Sequence, residues 1–335
     1  MLLAGDIGGT KTHLALYSLD ATPIQQQEAI FKSADYPSLE AIVQEFLAQT
    51  AVTVKQAAFG VAGPVVNGES KITNLPWHIT ESNLCQTLQL SPGAVKLLND
   101  LESIAYAVPH LPAADLSPLN GEQLDPTLGG HKAVIAPGTG LGEAILFHHH
   151  NRYHVMPSEG GHTDFGPVNA VQMGLLRFLL DRFNHVSYER VCSGGLGIPN
   201  IYAYFKETRP NEESPTVRAA LAQSPDPTPV IIQAGLNNEC ELCRATLNTF
   251  VSILGAEAGN LALKVMATGG IYLGGGIPRK ILAKLRDGTF MAAFVNKGRF
   301  AGLLSHIPVY IILHENPGLL GAAYYGLTLD ENSHQ

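Results

Sequence analysis

The pattern of apolar and polar positions divides the chain into strand-like and helix-like stretches. LLAGDI at the N-terminus is a short apolar run that ends at glycines, and THLALYSL follows it with the composition of a second strand. The intervening GGTKT makes the pair a strand–turn–strand unit, in which Gly8 and Gly9 are expected to take the φ > 0 conformations of a tight turn. From Ser38 to Thr50 the period changes. Leu39, Ile42, Val43, Phe46 and Leu47 recur at helical spacing, with Ser38 placed to cap the helix. Apolar runs at 57–62 and 95–98 predict two further strands. A helix then opens just after Asn99-Asp100 and turns Ile104, Ala105 and Val108 inward.

Residues 109–131 are rich in Pro, Gly and Asp and show no periodicity, which reads as the passage from one domain to another. KAVIAPGTGLGEAILF then repeats the strand–glycine–strand form of the N-terminus, pointing to a duplicated architecture rather than one Rossmann unit. The polar, proline-rich stretch 206–230 is expected to form mobile loops around a short helix. The clearest helix covers 244–267, with Leu247, Phe250, Leu254, Ala258, Leu261 and Val265 on one face, and leads into the buried strand GIYLGGG. A last helix begins at Gly318 after Asn316-Pro317. The expected organisation is two α/β domains, 1–109 and 110–317, with a C-terminal helix at about 318–331 that packs back on the first.

Composition changes this picture little. A length of 335 residues suits two domains and a sizeable core. The net charge of −8 argues against a general nucleic-acid or membrane-surface binder. It does not argue against ATP, since phosphates are held by local backbone N–H groups. Four scattered cysteines do not make a secreted disulfide framework, and the N-terminal apolar run is too short for a signal peptide. Glu257, Lys264 and glycines break the most apolar later stretch as a membrane span. A reduced, cytoplasmic protein is expected.

Three glycine loops, each at a strand end, carry the first candidate chemistry. In Asp6-Ile-Gly8-Gly9-Thr10-Lys11-Thr12, bare backbone N–H groups and two hydroxyls lie beside a carboxylate that could hold Mg²⁺ through water. The spacing is not that of a Walker A loop, and a plain hairpin turn is the alternative. Gly138-Thr139-Gly140-Leu141-Gly142-Glu143 departs from the dinucleotide pattern where Glu143 replaces the third glycine, and Glu143 reads as a structural or solvated carboxylate. Gly274-Gly275-Gly276 ends a buried strand and could let an adenine ring approach the backbone.

Asn99-Asp100 stands where a strand ends and a helix opens, the position at which α/β sheets bind ligands. A carboxylate there can take a proton from a hydroxyl attacking a phosphoryl group, or either residue can serve as the helix cap. In PSEGGHTD, Gly160 and Gly161 expose the backbone and let Glu159 and His162 point into one space, a pairing suited to polyol hydroxyls. Glu189 in SYERVCSGG is a third polar candidate, or else a surface helix residue. Cys240 and Cys243 form C-x-x-C without a second pair and read as buried structural thiols. His148, His149, His150 and His154 read as a polar hairpin tip rather than a metal patch.

The ordered set GDIGGTKTHLAL, TNLPW, LLNDLESIAYAVP, APGTGLGEA, PSEGGHTDFGP, YERVCSGGLG, YLGGGI, KGRF and HENPGLLGAA resembles the bacterial ATP-dependent glucokinases over nearly the whole chain. The branch is the one distinct from the ROK sugar kinases, whose cysteine-rich zinc motif after the GGH histidine is absent here. The resemblance implies an actin-like ATPase (ribonuclease H-like) fold, two domains flanking a cleft that holds glucose, and a homodimer. It makes Asp100 the catalytic base and Asn99, Glu159, His162 and Glu189 the sugar-binding residues. The DIGGT and GTGLG segments become phosphate loops and GGG the adenosine loop, with ATP and Mg²⁺ as cofactors. A kinase for mannose, fructose or an N-acetylated amino sugar is the alternative within enzymes. A sugar-sensing regulator on a kinase scaffold is the alternative outside them, though no room precedes the first loop for a helix-turn-helix module and the charge is acidic.

Overall fold

A computed structural model describes residues 1–50, 52–72, 75–120 and 129–329. It contains two compact units, Met1–Pro112 with the segment from His314 onward, and Ala113–Leu313.

The first unit is built on a five-stranded sheet. Strands β1 (Leu2–Ile7), β2 (Lys11–Tyr17) and β3 (Gln25–Lys32) are antiparallel, while β4 (Gln56–Val61) and β5 (Val95–Asn99) run parallel to β1, in the order β3-β2-β1-β4-β5. β4 is wholly buried, which is why its sequence lacks alternation. At the edge, β3 exposes Gln25, Gln26, Gln27 and Glu28, side chains that discourage pairing with another chain. Helix α1 (Leu39–Ala48) starts where Ser38 Oγ accepts a hydrogen bond from Ala41 N, and sets Leu39, Ile42, Val43 and Phe46 against Leu3 and Phe59 of the sheet.

Two expectations need correcting here. Neither Gly8 nor Gly9 lies in the left-handed region. Ile7 pairs with Thr12, so four residues close the turn, and the positive φ values of a two-residue hairpin do not apply to it. Glycine at position 8 eases crowding instead, since a Cβ there would sit 3.2 Å from Lys11 O. In α2 (Asp100–Ala107) the buried face carries Leu101, Ser103, Ala105 and Ala107, while Ile104 is only half-buried.

The second unit repeats the plan. β6 (Leu116–Pro118), β7 (Lys132–Pro137), β8 (Leu141–His149), β9 (Arg152–Ser158), β10 (Gly270–Leu273) and β11 (Val309–Ile312) form a sheet in the order β9-β8-β7-β10-β11-β6. Its first three neighbours are antiparallel and β7, β10 and β11 are parallel, as in the first sheet. The passage 109–131 is therefore not all irregular: β6 pairs with β11, and residues 121–128 of it lie outside the described residues. The histidine run does form a hairpin tip, with His150 (φ 47°) and Asn151 (φ 59°) as its two turn residues.

After the one-turn helix α3 (Glu189–Cys192), the stretch 206–230 holds the expected short helix, α4 (Pro215–Gln223), and beyond the expectation the start of a second, α5 (Pro227–Leu236). Each opens with a proline, whose fixed φ suits a first turn. Between α4 and the helix Gly197–Thr208 before it, the buried carboxylate of Glu213 accepts from Tyr202 Oη at 2.9 Å and pairs with Lys206 and Arg218, so this polar composition serves a packed corner. Helix α6 (Glu241–Val265) starts three residues before the expected 244, with Cys240 at its cap. Cys240 and Cys243 are buried free thiols. No helix among the described residues is long and apolar enough to cross a membrane.

The chain ends in the first unit with α7 (Pro317–Leu327), whose Leu319, Ala322 and Ala323 cover Leu2, Ala4 and Ala58 on the sheet face opposite α1. Residues 330 and 331 of the expected helix 318–331 lie outside the described residues, as do Thr73 and Asn74 of TNLPW.

Candidate functional site

In the first unit, β1 and β5 flank β4 and run parallel, so Asp6 near the end of one and Asp100 just past the end of the other share the C-terminal edge of the sheet. The helix cap belongs to Asn99. Its Oδ1 accepts from Leu101 N at 3.0 Å, and its own N–H donates to Glu102 Oε2 at 3.4 Å, completing a capping box. Asn99 Nδ2 also donates to Gly63 O at 3.0 Å, which orients the amide.

Asp100, the first helical residue, accepts locally from Leu101 N at 2.8 Å. Removal of water raises its carboxyl above the ordinary aspartate range, the backbone hydrogen bond opposes this, and the charge of Asp6 adds to it. Desolvation raises Asp6 as well, against the pull of Lys11 and His13.

The first glycine loop is tied down from the side. Gly8 N donates to Lys11 O at 2.9 Å, and Ser33 Oγ donates to Gly8 O at 2.8 Å. Thr10 and Lys11 are exposed, but Thr12 is not available to a ligand. It follows Lys11 into β2 with its side chain on the inner face, where its hydroxyl meets Ser33 Oγ at 3.1 Å in the core. The sequence reading missed Ser33 and also Gly318, whose Cβ would lie 3.3 Å from Asp6 Cγ. The proline-glycine start of α7 was the available signal: a helix that opens with a bare residue lets another group come close.

In the second unit, strand pairing and a short 3₁₀ turn at Gly160–His162 bring the three polar candidates together. His162 Nε2 lies 3.8 Å from Glu159 Oε2, and its Nδ1 lies 3.7 Å from Glu189 Oε2. Glu189 opens α3, and Tyr188 N beside it donates to Thr163 O at 3.0 Å, joining the two segments. Glu159 and His162 are open to solvent while Glu189 is half-buried. Gly161 is forced by close approach, since a Cβ there would fall inside Leu141 O, and a Cβ on Gly160 would displace the Glu143 carboxyl at Oε2.

The other two glycine loops lie at the ends of the adjacent parallel strands β7 and β10. Gly138 N donates to Gly140 O at 2.9 Å, and Gly194 N and Gly195 N donate to Gly138 O and Thr139 O at 2.8 and 3.2 Å. Gly194 and Gly195, which sequence reasoning passed over, thus brace the loop with backbone that no side chain separates. Glu189 Oε1 would lie 2.6 Å from a Cβ on Gly140, so this loop and the Glu159/His162/Glu189 group are neighbours. Gly274 N donates to Ile135 O at 3.0 Å, and Gly275 takes φ 80°, the left-handed conformation that glycine favours. Glu143 is buried rather than solvated, and its carboxyl is pushed up to about 8 by desolvation and by the charge of Glu257.

The Glucokinase family model matches residues 3–328. The chain belongs to the glucokinase family. It is 40% identical to the glucokinase of Nostoc punctiforme, with 96% of this chain and 98% of that one covered. Among solved structures, it superposes on the glucokinase of an Antarctic psychrotroph with a TM-score of 0.83 at 32% identity, covering 97% of this chain and 98% of that one. The Balamuthia mandrillaris glucokinase, solved in complex with glucose, gives a TM-score of 0.77 at 25% identity over 97% and 93% of the two chains. The two sheets of one plan are those of the actin-like ATPase fold that glucokinases share.

Proposed function

We propose that this glucokinase-family chain transfers the γ-phosphoryl group of ATP to the 6-hydroxyl of D-glucose, giving glucose 6-phosphate and ADP, with Asp100 as general base. The observation that carries the base assignment is the place of Asp100, a desolvated carboxylate just past the C-terminal end of β5 on the same sheet edge as Asp6. A carboxylate raised above its ordinary range is a stronger proton acceptor. As the sugar 6-oxygen bonds to the γ-phosphorus and the bond to the β-phosphate oxygen breaks, the hydroxyl proton passes to an Asp100 carboxylate oxygen.

Glu159, His162 and Glu189 accept and donate hydrogen bonds to the sugar hydroxyls, joined by the remaining amide N–H of Asn99. Backbone N–H groups of Gly9, Thr10, Thr139 and Gly140 receive the phosphates, those of Gly8 and Gly138 being donated within their own loops, with Lys11 adding charge and Gly274-Gly275 lying against the adenosine.

The residues present suit Mg²⁺. Asp6 offers hard oxygen donors, and its poorly solvated carboxyl beside Asp100 is relieved by a divalent cation. Among the described residues no group of three or more His, Cys, Asp or Glu gathers to hold a metal alone. Asp6 is the residue that would hold the ion, through water. When bound, the ion neutralises charge on the β- and γ-phosphate oxygens.

ADP release measured with glucose, mannose, fructose and N-acetylglucosamine, with and without Mg²⁺, tests the reading. The expected result is sugar-dependent, Mg²⁺-dependent release that is fastest with glucose. Equal release without sugar, or faster release with another hexose, contradicts it. Gly161→Ala gives a separate check on the sugar group. Its new methyl displaces the turn from Leu141 O, and the KM for glucose rises about 10-fold or more while the KM for ATP holds. An unchanged glucose KM would remove the turn from sugar binding.

A further inference from the structure

Beneath the Glu159/His162/Glu189 group lies a buried polar network that the reaction does not use directly. Glu143 on β8 is 2% exposed, and it pairs in register with Ser158, the residue before Glu159. One carboxyl oxygen, Oε2, presses on Gly160, where even a methyl group would not fit. The other, Oε1, is buried without a hydrogen-bond partner. Gly160 N donates to Ser158 Oγ at 2.9 Å, and Gly160 O accepts from Thr163 N and from Thr163 Oγ1 at 3.0 and 2.7 Å. Thr163 O in turn receives Tyr188 N, the residue beside Glu189. The Glu143 carboxyl therefore lies against a residue of the Glu159/His162 turn that is tied through Thr163 to Tyr188, beside Glu189.

A second buried carboxylate stands behind the first. Glu257 on α6 is fully buried, accepts from Asn260 Nδ2 at 2.8 Å and pairs with Lys264 at 3.4 Å. Asn260 Nδ2 also reaches the Tyr188 hydroxyl at 3.0 Å, and Lys297 Nζ donates to Asn260 Oδ1 at 2.6 Å. The charged and titratable groups that bear on Glu143 are Glu257 and Lys264 of α6 and the thiol of Cys192 at the end of α3, while Tyr188 and Lys297 join the same network through Asn260.

We propose that Glu143 is a positioning residue for sugar binding, its buried carboxyl holding the Gly160–His162 turn in the place that sets Glu159 and His162 against Glu189. The proposal rests on the reading of these three residues as the sugar-binding group. At neutral pH the carboxyl is protonated, because water is excluded and Glu257 already carries the local negative charge. The sign of the pH effect follows. The neutral form fits the site, so the turn is in place below about 8, and ionisation beside Glu257 displaces it as pH rises through that value.

The test compares wild type, Glu143→Gln and Glu143→Ala by the KM for glucose and for ATP across pH 6 to 9. In wild type the glucose KM rises about 10-fold between pH 7 and pH 9, while the ATP KM does not follow. Glu143→Gln, which copies the neutral carboxyl and cannot ionise, keeps the wild-type glucose KM at pH 7 within about 3-fold and loses the alkaline rise. Glu143→Ala raises the glucose KM about 10-fold at pH 7. The same alkaline rise in Glu143→Gln, no rise in wild type, or an unchanged glucose KM in a folded Glu143→Ala would each overturn the proposal. Should Glu143→Ala not fold, the paired pH profiles of wild type and Glu143→Gln still decide. A wild type that uses another hexose defeats the glucose assignment instead, and the same comparison is then made with the hexose it uses.

Discussion

Asp100→Asn is expected to fold, to bind glucose, and to lose about 10²-fold or more in turnover. The substitution keeps the size of the side chain and an oxygen that can accept from Leu101 N. It also removes a charge that burial and Asp6 both oppose, so folding stability is kept or slightly increased. What it removes is the ability to take a proton. Titration of glucose by calorimetry, beside a coupled ADP assay, separates the two effects. Intact binding with collapsed turnover is the expected pair, and near-normal turnover would end the base assignment.

Gly321→Ala carries the largest expected effect on stability. In α7 this glycine faces α2 so closely that a Cβ would fall inside Ser103 O and lie 3.0 Å from Ala107 N. Both obstacles are backbone, so no side-chain rotation relieves the clash. Ser103 Oγ also donates to Gly318 O at 2.7 Å, which locks the two helices in register. Pushing them apart is expected to cost about 3 kcal/mol and lower the melting temperature by roughly 6–10 °C. It also moves the helix that opens with Asp100, so activity falls even in the folded fraction. A melting temperature within a degree of wild type would contradict the packing of α7 on α2.

Both helices were visible in the sequence, yet their close crossing was not. Helical spacing identifies one face of α2, but the glycines at 318, 321 and 326 that admit neighbouring groups carry no periodic signal. The repeated strand–glycine–strand form did announce two sheets of one plan, because apolar runs ending in glycine follow from buried strands whose ends approach backbone. The stretch 206–230 misled for a related reason. Its polar composition suggests solvent, whereas Glu213 is buried there and satisfied by Tyr202, Lys206 and Arg218, partners that composition cannot place.

At the candidate site, Asn99 and Asp100 were legible as a pair but not as separate roles, since either side chain can cap a helix. The capping box with Glu102 assigns the cap to Asn99. Glu159 and His162 share one turn and were legible from spacing. Glu189 was not, because 27 positions separate it from His162 in the sequence and it is brought near by pairing of the two segments, through the Asp164–Ser187 bridge and the backbone hydrogen bonds beside it. Thr12 was misjudged because strand alternation beyond the loop, rather than proximity to the glycines, decides which way its hydroxyl points.

The pH dependence of turnover in wild type and Asp100→Asn, measured at saturating glucose and ATP, tests the central claim most directly. Wild-type turnover is expected to fall on the acid side as a carboxyl protonates, with an apparent pKa above the roughly 3.9 of an ordinary aspartate. The residual turnover of Asp100→Asn is expected to show no such limb. The same acid limb in both proteins would contradict the account and assign the proton to another group.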